Sequence, residues 1–199
     1  MTAPLDFYFD FSSPYAYLLS EKIDALAARH GRSVNWHPVL LGVIFQRMAI
    51  TPPAASNKYP YMQIDVARSA RFLGLNYRHP PLFPLATQQA ARAYYVLLDQ
   101  QPELARPFAQ AVFRAMFVTN LDISRADIVL DLAVSLGADR ASLLLAMGSE
   151  DYKTRLKAAC EAALGRGMFG APYVLIDGEP FLGADRLEQM ERWLAEGGF

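Results

Sequence analysis

A single cysteine, Cys160, is the only thiol in 199 residues. One thiol closes no internal disulfide, and no C-x-x-C pair is present for dithiol exchange. Histidine is nearly as scarce: His30, His37 and His79 are scattered without metal-ligand spacing, so a protein without a metal is expected. An excess of either charge is also missing. Nineteen Lys and Arg stand against twenty Asp and Glu, for a formal net charge of −1. With no polybasic stripe, neither nucleic acid nor an anionic membrane is an expected partner. No apolar run approaches the roughly 18 residues of a membrane span. The opening "MTAPLDFYFDF" has no basic start, and Asp6 and Asp10 interrupt its apolar character, so it does not read as a signal peptide. The expected location is cytoplasmic. Internal repeats and low-complexity tracts are absent too.

What the chain does have is apolar mass. A hydrophobic fraction of 53% is ample for a packed core, over a length suited to one domain or to one domain carrying a large insertion. "LDFYFDF" alternates, with Leu5, Phe7, Phe9 and Phe11 on one face and Asp6, Tyr8 and Asp10 on the other, which is strand periodicity. Pro14 suits the first turn of a helix. Leu19, Ile23 and Leu26 continue at helical spacing, and Gly31 after His30 is a suitable stop. "SVNWHPV" predicts a second strand, with Val34 and Trp36 on one side. Such a strand–helix–strand unit is normally right-handed and parallel.

Beyond residue 42 the texture changes. "TPPAASNKYPY" and "YRHPPLFP" are loop chemistry, and the stretches between and after them are helical. Met62, Val66, Ala70 and Leu73 form one apolar stripe; Ser124 with Asp127 suggests a capping box. The end reverts to strands: "APYVLIDG" is apolar and β-branched, and Asp177-Gly178 predicts a tight primed hairpin turn. "ADRLEQMERWLAEGG" closes with an amphipathic helix carrying Leu187, Met190 and Leu194 on one face. The order βαβ, helices, ββα describes an α/β, thioredoxin-like domain, over 1–42 and 168–199, interrupted by an all-helical insertion over 43–167.

Three places could carry chemistry. Ser13 stands between a strand end and a helix start, where unpaired N–H groups attract an anion, although a serine before proline there is also an ordinary N-cap. In "FGAPYV", Pro172 at the mouth of a strand is where an X-Pro bond can turn cis and aim the Ala171 backbone at a ligand; a trans proline on an edge strand is the alternative. In "FLGADRLEQ", Gly183 permits close backbone approach, and Asp185 reads as a helix cap or as the receiver of a ligand's ammonium. Elsewhere Cys160 reads as a buried small hydrophobe, His37 has no evident acid or base partner, and Arg68 and Arg71 lie on a charged helix face.

Together "FYFDFSSPYAYL", "FGAPYVLIDG" and "FLGADRLE" resemble the kappa-class glutathione transferases and their close relatives, the 2-hydroxychromene-2-carboxylate isomerases. Both are DsbA-like proteins in which a helical segment interrupts a thioredoxin fold, and the resemblance covers nearly the whole chain. It implies glutathione as cofactor. Ser13 takes the place of the family serine that faces the glutathione sulfur, where thiol oxidoreductases of the same fold carry a nucleophilic cysteine. Ala171, before Pro172, pairs by its backbone with the cysteinyl part. Asp185, with the Gly183-Ala184 backbone, binds the γ-glutamyl end, and Asn57 matches a family asparagine that also contacts glutathione. Three departures stand out: Ser12 replaces an aliphatic residue, Ala171 a valine, and Ala184 a polar residue whose γ-glutamyl contact is then missing.

The activity implied is interconversion of 2-hydroxychromene-2-carboxylate and trans-o-hydroxybenzylidenepyruvate in naphthalene-like aromatic catabolism. A kappa-type transferase or peroxidase, and a non-catalytic glutathione-binding module, are the alternatives. A carboxylate-bearing aromatic substrate calls for a cation, with Lys58 the first candidate and Arg47 the second. Aromatic walls would come from "NKYPYM", including Tyr61, and from "HPPLFP"; for Tyr59, Tyr61 and Phe83 plain packing is the competing reading. Relatives are dimers, so a homodimer is expected.

Overall fold

A computed structural model describes residues 3–199. Its sheet begins with β1 (Leu5–Phe9), which buries Leu5, Phe7 and Phe9 as the alternation requires. The chain turns at Asp10–Ser13 into α1 (Pro14–Ser20) and α2 (Ile23–Arg29), then enters β2 (Val34–Pro38), parallel to β1 with Leu5 opposite Val34 and Phe9 opposite Pro38. The C-terminal β3 (Tyr173–Ile176) joins β1 antiparallel, and β4 (Glu179–Leu182) pairs with β3, giving the order β2-β1-β3-β4. Asp177 (φ +54°) and Gly178 (φ +92°) form the tight turn, both in the left-handed region that a primed turn demands.

Between the two halves of this thioredoxin-like core lies the helical insert. It comprises α3 (Leu41–Arg47), a 3-10 turn at Pro53–Ala55, α4 (Tyr59–Phe72), α5 (Gln88–Gln100), α6 (Pro102–Phe117), α7 (Ala126–Ser135), α8 (Arg140–Gly148) and α9 (Glu150–Gly165). The closing helix α10 (Leu187–Glu196) follows β4. Among the described residues, no helix is long and apolar enough to cross a membrane.

Two local expectations fail for identifiable reasons. The helix after Pro14 is split at Glu21-Lys22. There the Ser20 hydroxyl donates to the Tyr17 carbonyl (2.7 Å), competing with the helical ladder, while Glu21 turns out to a bidentate pair with Arg114. The Ser124–Asp127 capping box does not form. Asp122 takes both the N–H and the hydroxyl of Ser124, Asp127 pairs with Arg125, and Arg125 stands at the N-cap of α7.

The insert is joined to the sheet along the outer edge of β2. An edge strand exposes unpaired carbonyls that invite another chain. Here Val34 O accepts from Arg106 (2.8 Å), Trp36 O from the Tyr94 hydroxyl (3.1 Å), and Pro38 O from the Tyr95 hydroxyl (2.8 Å). Behind that seam Phe7 and Phe9 stack at 5.0 Å, and Trp36, Phe11 and Phe113 meet them edge-to-face or tilted, with centroids 5.1–5.5 Å apart.

A second joint is polar. Asp10, only 3% exposed at the end of β1, accepts from the Ser12 N–H (2.8 Å), the Leu41 N–H that opens α3 (2.6 Å), and the hydroxyl of Thr87 at the N-cap of α5 (2.8 Å). Burial pushes its carboxyl up from the ordinary range, and these donors pull it back. Replacing Asp10 with Asn places an NH₂ against at least one of the two backbone N–H donors. Asp10→Asn is therefore expected to lower the unfolding free energy by about 1–3 kcal/mol in urea titration, with Asp10→Ala losing more.

Candidate functional site

Ser13 occupies the N-cap of α1 in extended conformation (φ −87°, ψ 113°), with Pro14 at the first helical position. Its hydroxyl oxygen accepts the Ala16 N–H at 3.2 Å, as a cap does. The same hydroxyl donates to the carbonyl of Ala171 at 3.0 Å, across 158 residues of chain. Ser13 thus caps α1 and reaches Ala171 with the same hydroxyl. The Ala171-Pro172 peptide is cis, and the Pro172 carbonyl accepts the Gly183 N–H at 3.0 Å. Segments 12–14, 171–172 and 183–185 therefore form one hydrogen-bonded strip.

Gly183 has φ +107° and ψ 152°, a region open in practice only to glycine. A Cβ built there would lie 2.2 Å from Asp185 Oδ1, so the aspartate folds back over the bare backbone. Asp185 sits in a single 3-10 turn (Ala184–Arg186) ahead of α10, rather than in the helix itself. Its side chain is 73% exposed, and its only ion-pair partner among the described residues is Arg186 at 3.5 Å.

The two adjacent serines are separated by what they touch. Ser12 is held to Asp10 through its N–H, and its hydroxyl also faces that carboxylate, whereas Ser13 alone reaches Ala171. Beside them, Tyr15 donates to Asp65 on α4 at 2.7 Å. Burial works to raise the Asp65 carboxyl, but hydrogen bonds from Tyr15 and Arg68 outweigh it and hold the pKa below its usual value. Burial, the Asp65 hydrogen bond and the nearby charges of Asp65 and Asp185 push the Tyr15 phenol well up. Neither Tyr15 nor Asp65 was singled out by sequence reasoning; the one local cue is the Asp65–Arg68 spacing of an i,i+3 pair.

Comparison with known proteins bears on the family and the fold. The family model described as a DSBA-like thioredoxin domain matches residues 4–195. The chain belongs to this family. It is 26% identical over 196 residues to a 2-hydroxychromene-2-carboxylate isomerase of Sphingobium xenophagum, covering 98% of this chain and 100% of the relative. Identity to glutathione S-transferase kappa 1 of Caenorhabditis elegans is 24% over 195 residues, covering 92% and 86% of the two chains. Among solved structures, a 2-hydroxychromene-2-carboxylate isomerase superposes with a TM-score of 0.86 at 24% identity, covering 96% of this chain and 94% of that one.

Within this DSBA-like fold the remaining candidates fall in different places. Asn57 and Lys58 are exposed in the turn between the 3-10 segment and α4, where Lys58 N–H donates to Ser56 Oγ at 3.2 Å. Among the described residues no carboxylate pairs with the Lys58 ammonium. Arg47 is engaged with Glu161 on α9 at 2.5 Å. Tyr61 is exposed on α4, with its hydroxyl 3.4 Å from both Asp65 and Arg68. Cys160 is 1% exposed on α9, and burial pushes its thiol up, away from reactivity. His37, which lacked a partner in sequence, has one in Asp6 at 2.9 Å. No cluster of His, Cys, Asp or Glu able to hold a metal occurs among the described residues.

The Gly183–Asp185 fold-back is testable. Gly183→Ala is expected to cost about 1–3 kcal/mol of stability in urea titration and to displace the Asp185 carboxylate, because an L-residue at that backbone conformation is strained.

Proposed function

We propose that this protein is a glutathione-dependent isomerase of the 2-hydroxychromene-2-carboxylate type, with Ser13 holding the glutathione sulfur as thiolate. One observation carries the reading: the Ser13 hydroxyl meets the Ala171 carbonyl at 3.0 Å, beside the Gly183–Asp185 strap. A hydroxyl has one proton to donate. When glutathione enters, that proton turns from Ala171 O to the sulfur, and the carbonyl becomes free to accept the cysteinyl N–H of the tripeptide. The exchange leaves every group paired. The γ-glutamyl ammonium goes to Asp185, next to the Gly183-Ala184 backbone, and Asn57 supplies a further contact.

Magnitudes support the chemistry. A thiol of pKa about 8.5 is only about 3% thiolate at pH 7. A charge-assisted hydrogen bond contributes about 1.5–3 kcal/mol gross, and the positive end of the α1 dipole adds up to about 1–2 kcal/mol. A net gain of about 2.7 kcal/mol lowers the thiol pKa by about two units, making roughly three quarters of it thiolate at pH 7. The serine stabilises another molecule's nucleophile and needs no alkoxide of its own. The thiolate adds reversibly to an open-chain form of the substrate, rotation follows about the new single bond, and glutathione is expelled unchanged. Lys58, without a carboxylate partner, faces the substrate's carboxylate; Arg47 is second because Glu161 already engages it. Tyr61 contributes to the aromatic wall.

A kappa-type transferase is the second reading, favoured by the 24% identity to the nematode enzyme. Turnover with sub-stoichiometric glutathione and no loss of thiol supports the isomerase, whereas stoichiometric thiol loss supports the transferase. For Ser13 the measurement is thiolate absorbance of bound glutathione against pH. Ser13→Ala is expected to raise that pKa by about one unit or more, and equal titration in both proteins sinks the role.

The same reading includes a homodimer. Tyr61, Ile64 and Phe72 expose an apolar stripe along α4, with Phe72 84% exposed, a burden on solubility unless a second copy covers it. Phe72→Asp is expected to shift sedimentation from dimer to monomer.

A further inference from the structure

The loop between α4 and α5 is anchored at both ends beside the Ser13 turn. Asn76 O accepts from the hydroxyl of Tyr17 on α1 at 2.6 Å, and Thr87 donates to Asp10 just before Ser12. Tyr15, two residues after Ser13, meets Asp65 on α4, and Tyr59 lies on that same helix six residues, about 9 Å, before Asp65.

Within this loop His79 is held between two phenols. Its Nδ1 lies 2.7 Å from the Tyr77 hydroxyl and its Nε2 lies 2.9 Å from the Tyr59 hydroxyl. The backbone is fixed on both sides: Arg78 N–H donates to Phe117 O at 2.7 Å, and the Asn120 amide donates to His79 O at 3.2 Å. Burial lowers the His79 pKa, which favours the neutral imidazole, and raises that of Tyr77. A neutral imidazole has one donor and one acceptor nitrogen. Each phenol has the imidazole as its only protein acceptor among the described residues, so the tautomer decides which of them donates to the ring. Tyr77 stacks on fully buried Phe117 and is the phenol whose pKa burial raises. With the Tyr77 proton on Nδ1, Nε2–H donates to the Tyr59 oxygen and the Tyr59 proton is available to a ligand, while that ring stacks on Phe83 at 5.9 Å.

The geometry points to a second catalytic group: the Tyr59 hydroxyl, set by His79 and Tyr77, donates to the substrate oxygen that becomes negative when the thiolate adds. This rests on the isomerase reading. In that step the sulfur lone pair forms a C–S bond at the carbon next to the ring. The C=C π pair shifts toward the ketone, and charge passes from sulfur to the ketone oxygen as an enolate. Collapse of the enolate returns the pair and expels the thiolate, so no proton or oxidant is consumed. Ser13 holds the charge before addition and Tyr59 holds it after. His79 and Tyr77 are positioning residues, and Nε2–H donation makes the Tyr59 hydroxyl a stronger donor.

Two measurements decide this. In ligand-free protein, ¹⁵N NMR of His79 is expected to show the Nε2–H tautomer, and the Nδ1–H tautomer overturns the assignment. In kinetics on the chromene carboxylate, Tyr59→Phe is expected to lower kcat about 100-fold while leaving the glutathione Kd unchanged. His79→Ala should match that loss, and His79→Gln, whose amide can donate to Tyr59 and accept from Tyr77, should recover part of it. A wild-type chain that isomerises with glutathione while Tyr59→Phe keeps kcat within about twofold overturns the Tyr59 role alone. A wild-type chain with no calorimetric glutathione binding overturns the isomerase reading and this role together. A thermal melt of Tyr59→Phe that matches wild type shows a lost rate to be chemical, and a collapsed melt shows the residue to be structural and overturns the role.

Discussion

A carboxylate sunk at the end of β1 holds this molecule's working parts in register. Asp10 gathers the turn that carries Ser13, the start of α3 and the start of α5 onto two oxygen atoms. Its backbone carbonyl also takes the Ser13 N–H. Removing a carboxylate from water is costly, and the burden is met only because each donor is itself a group that burial would have left unpaired. Core and insert are thereby tied at the point where the candidate chemistry sits.

Around that joint the sheet and the insert make different contributions. The sheet supplies the strip of Ser13, Ala171-Pro172 and Gly183–Asp185, built from segments at opposite ends of the chain and joined by backbone carbonyls. The insert seals the β2 edge through Tyr94, Tyr95 and Arg106, and the loop bearing His79 and Phe83 ends at Thr87, which donates to Asp10.

Features governed by neighbouring residues were readable in the sequence. The β1 alternation, Pro14 opening a helix and the Asp177-Gly178 turn each follow from steric rules acting over a few residues. Features settled by competition among several possible partners, near or far, were not. Ser124 went to Asp122 rather than to a capping box, and Ser20 and Glu21, drawn to Tyr17 and Arg114, broke a helix that the spacing made continuous. His37 found Asp6 only because β1 and β2 pair in parallel, and Tyr15 reached Asp65 across 50 residues. Asp10 reads locally as the polar face of a strand, and nothing near it in sequence announces Leu41 and Thr87 as partners.

The amino-acid order alone determined the thioredoxin-like pattern with its helical interruption, the absence of dithiol chemistry, and the candidacy of Ser13, Pro172 and Asp185. These rest on periodicity, on composition and on local backbone preference. Tertiary structure alone decided which serine faces Ala171, the cis geometry at Pro172, the fold-back of Asp185 on Gly183, and the Tyr77–His79–Tyr59 arrangement. The Ser13–Ala171 and Tyr59–His79 contacts join segments far apart in the chain, and the local backbone choices at Pro172 and Gly183 are made in the packed surroundings those contacts create.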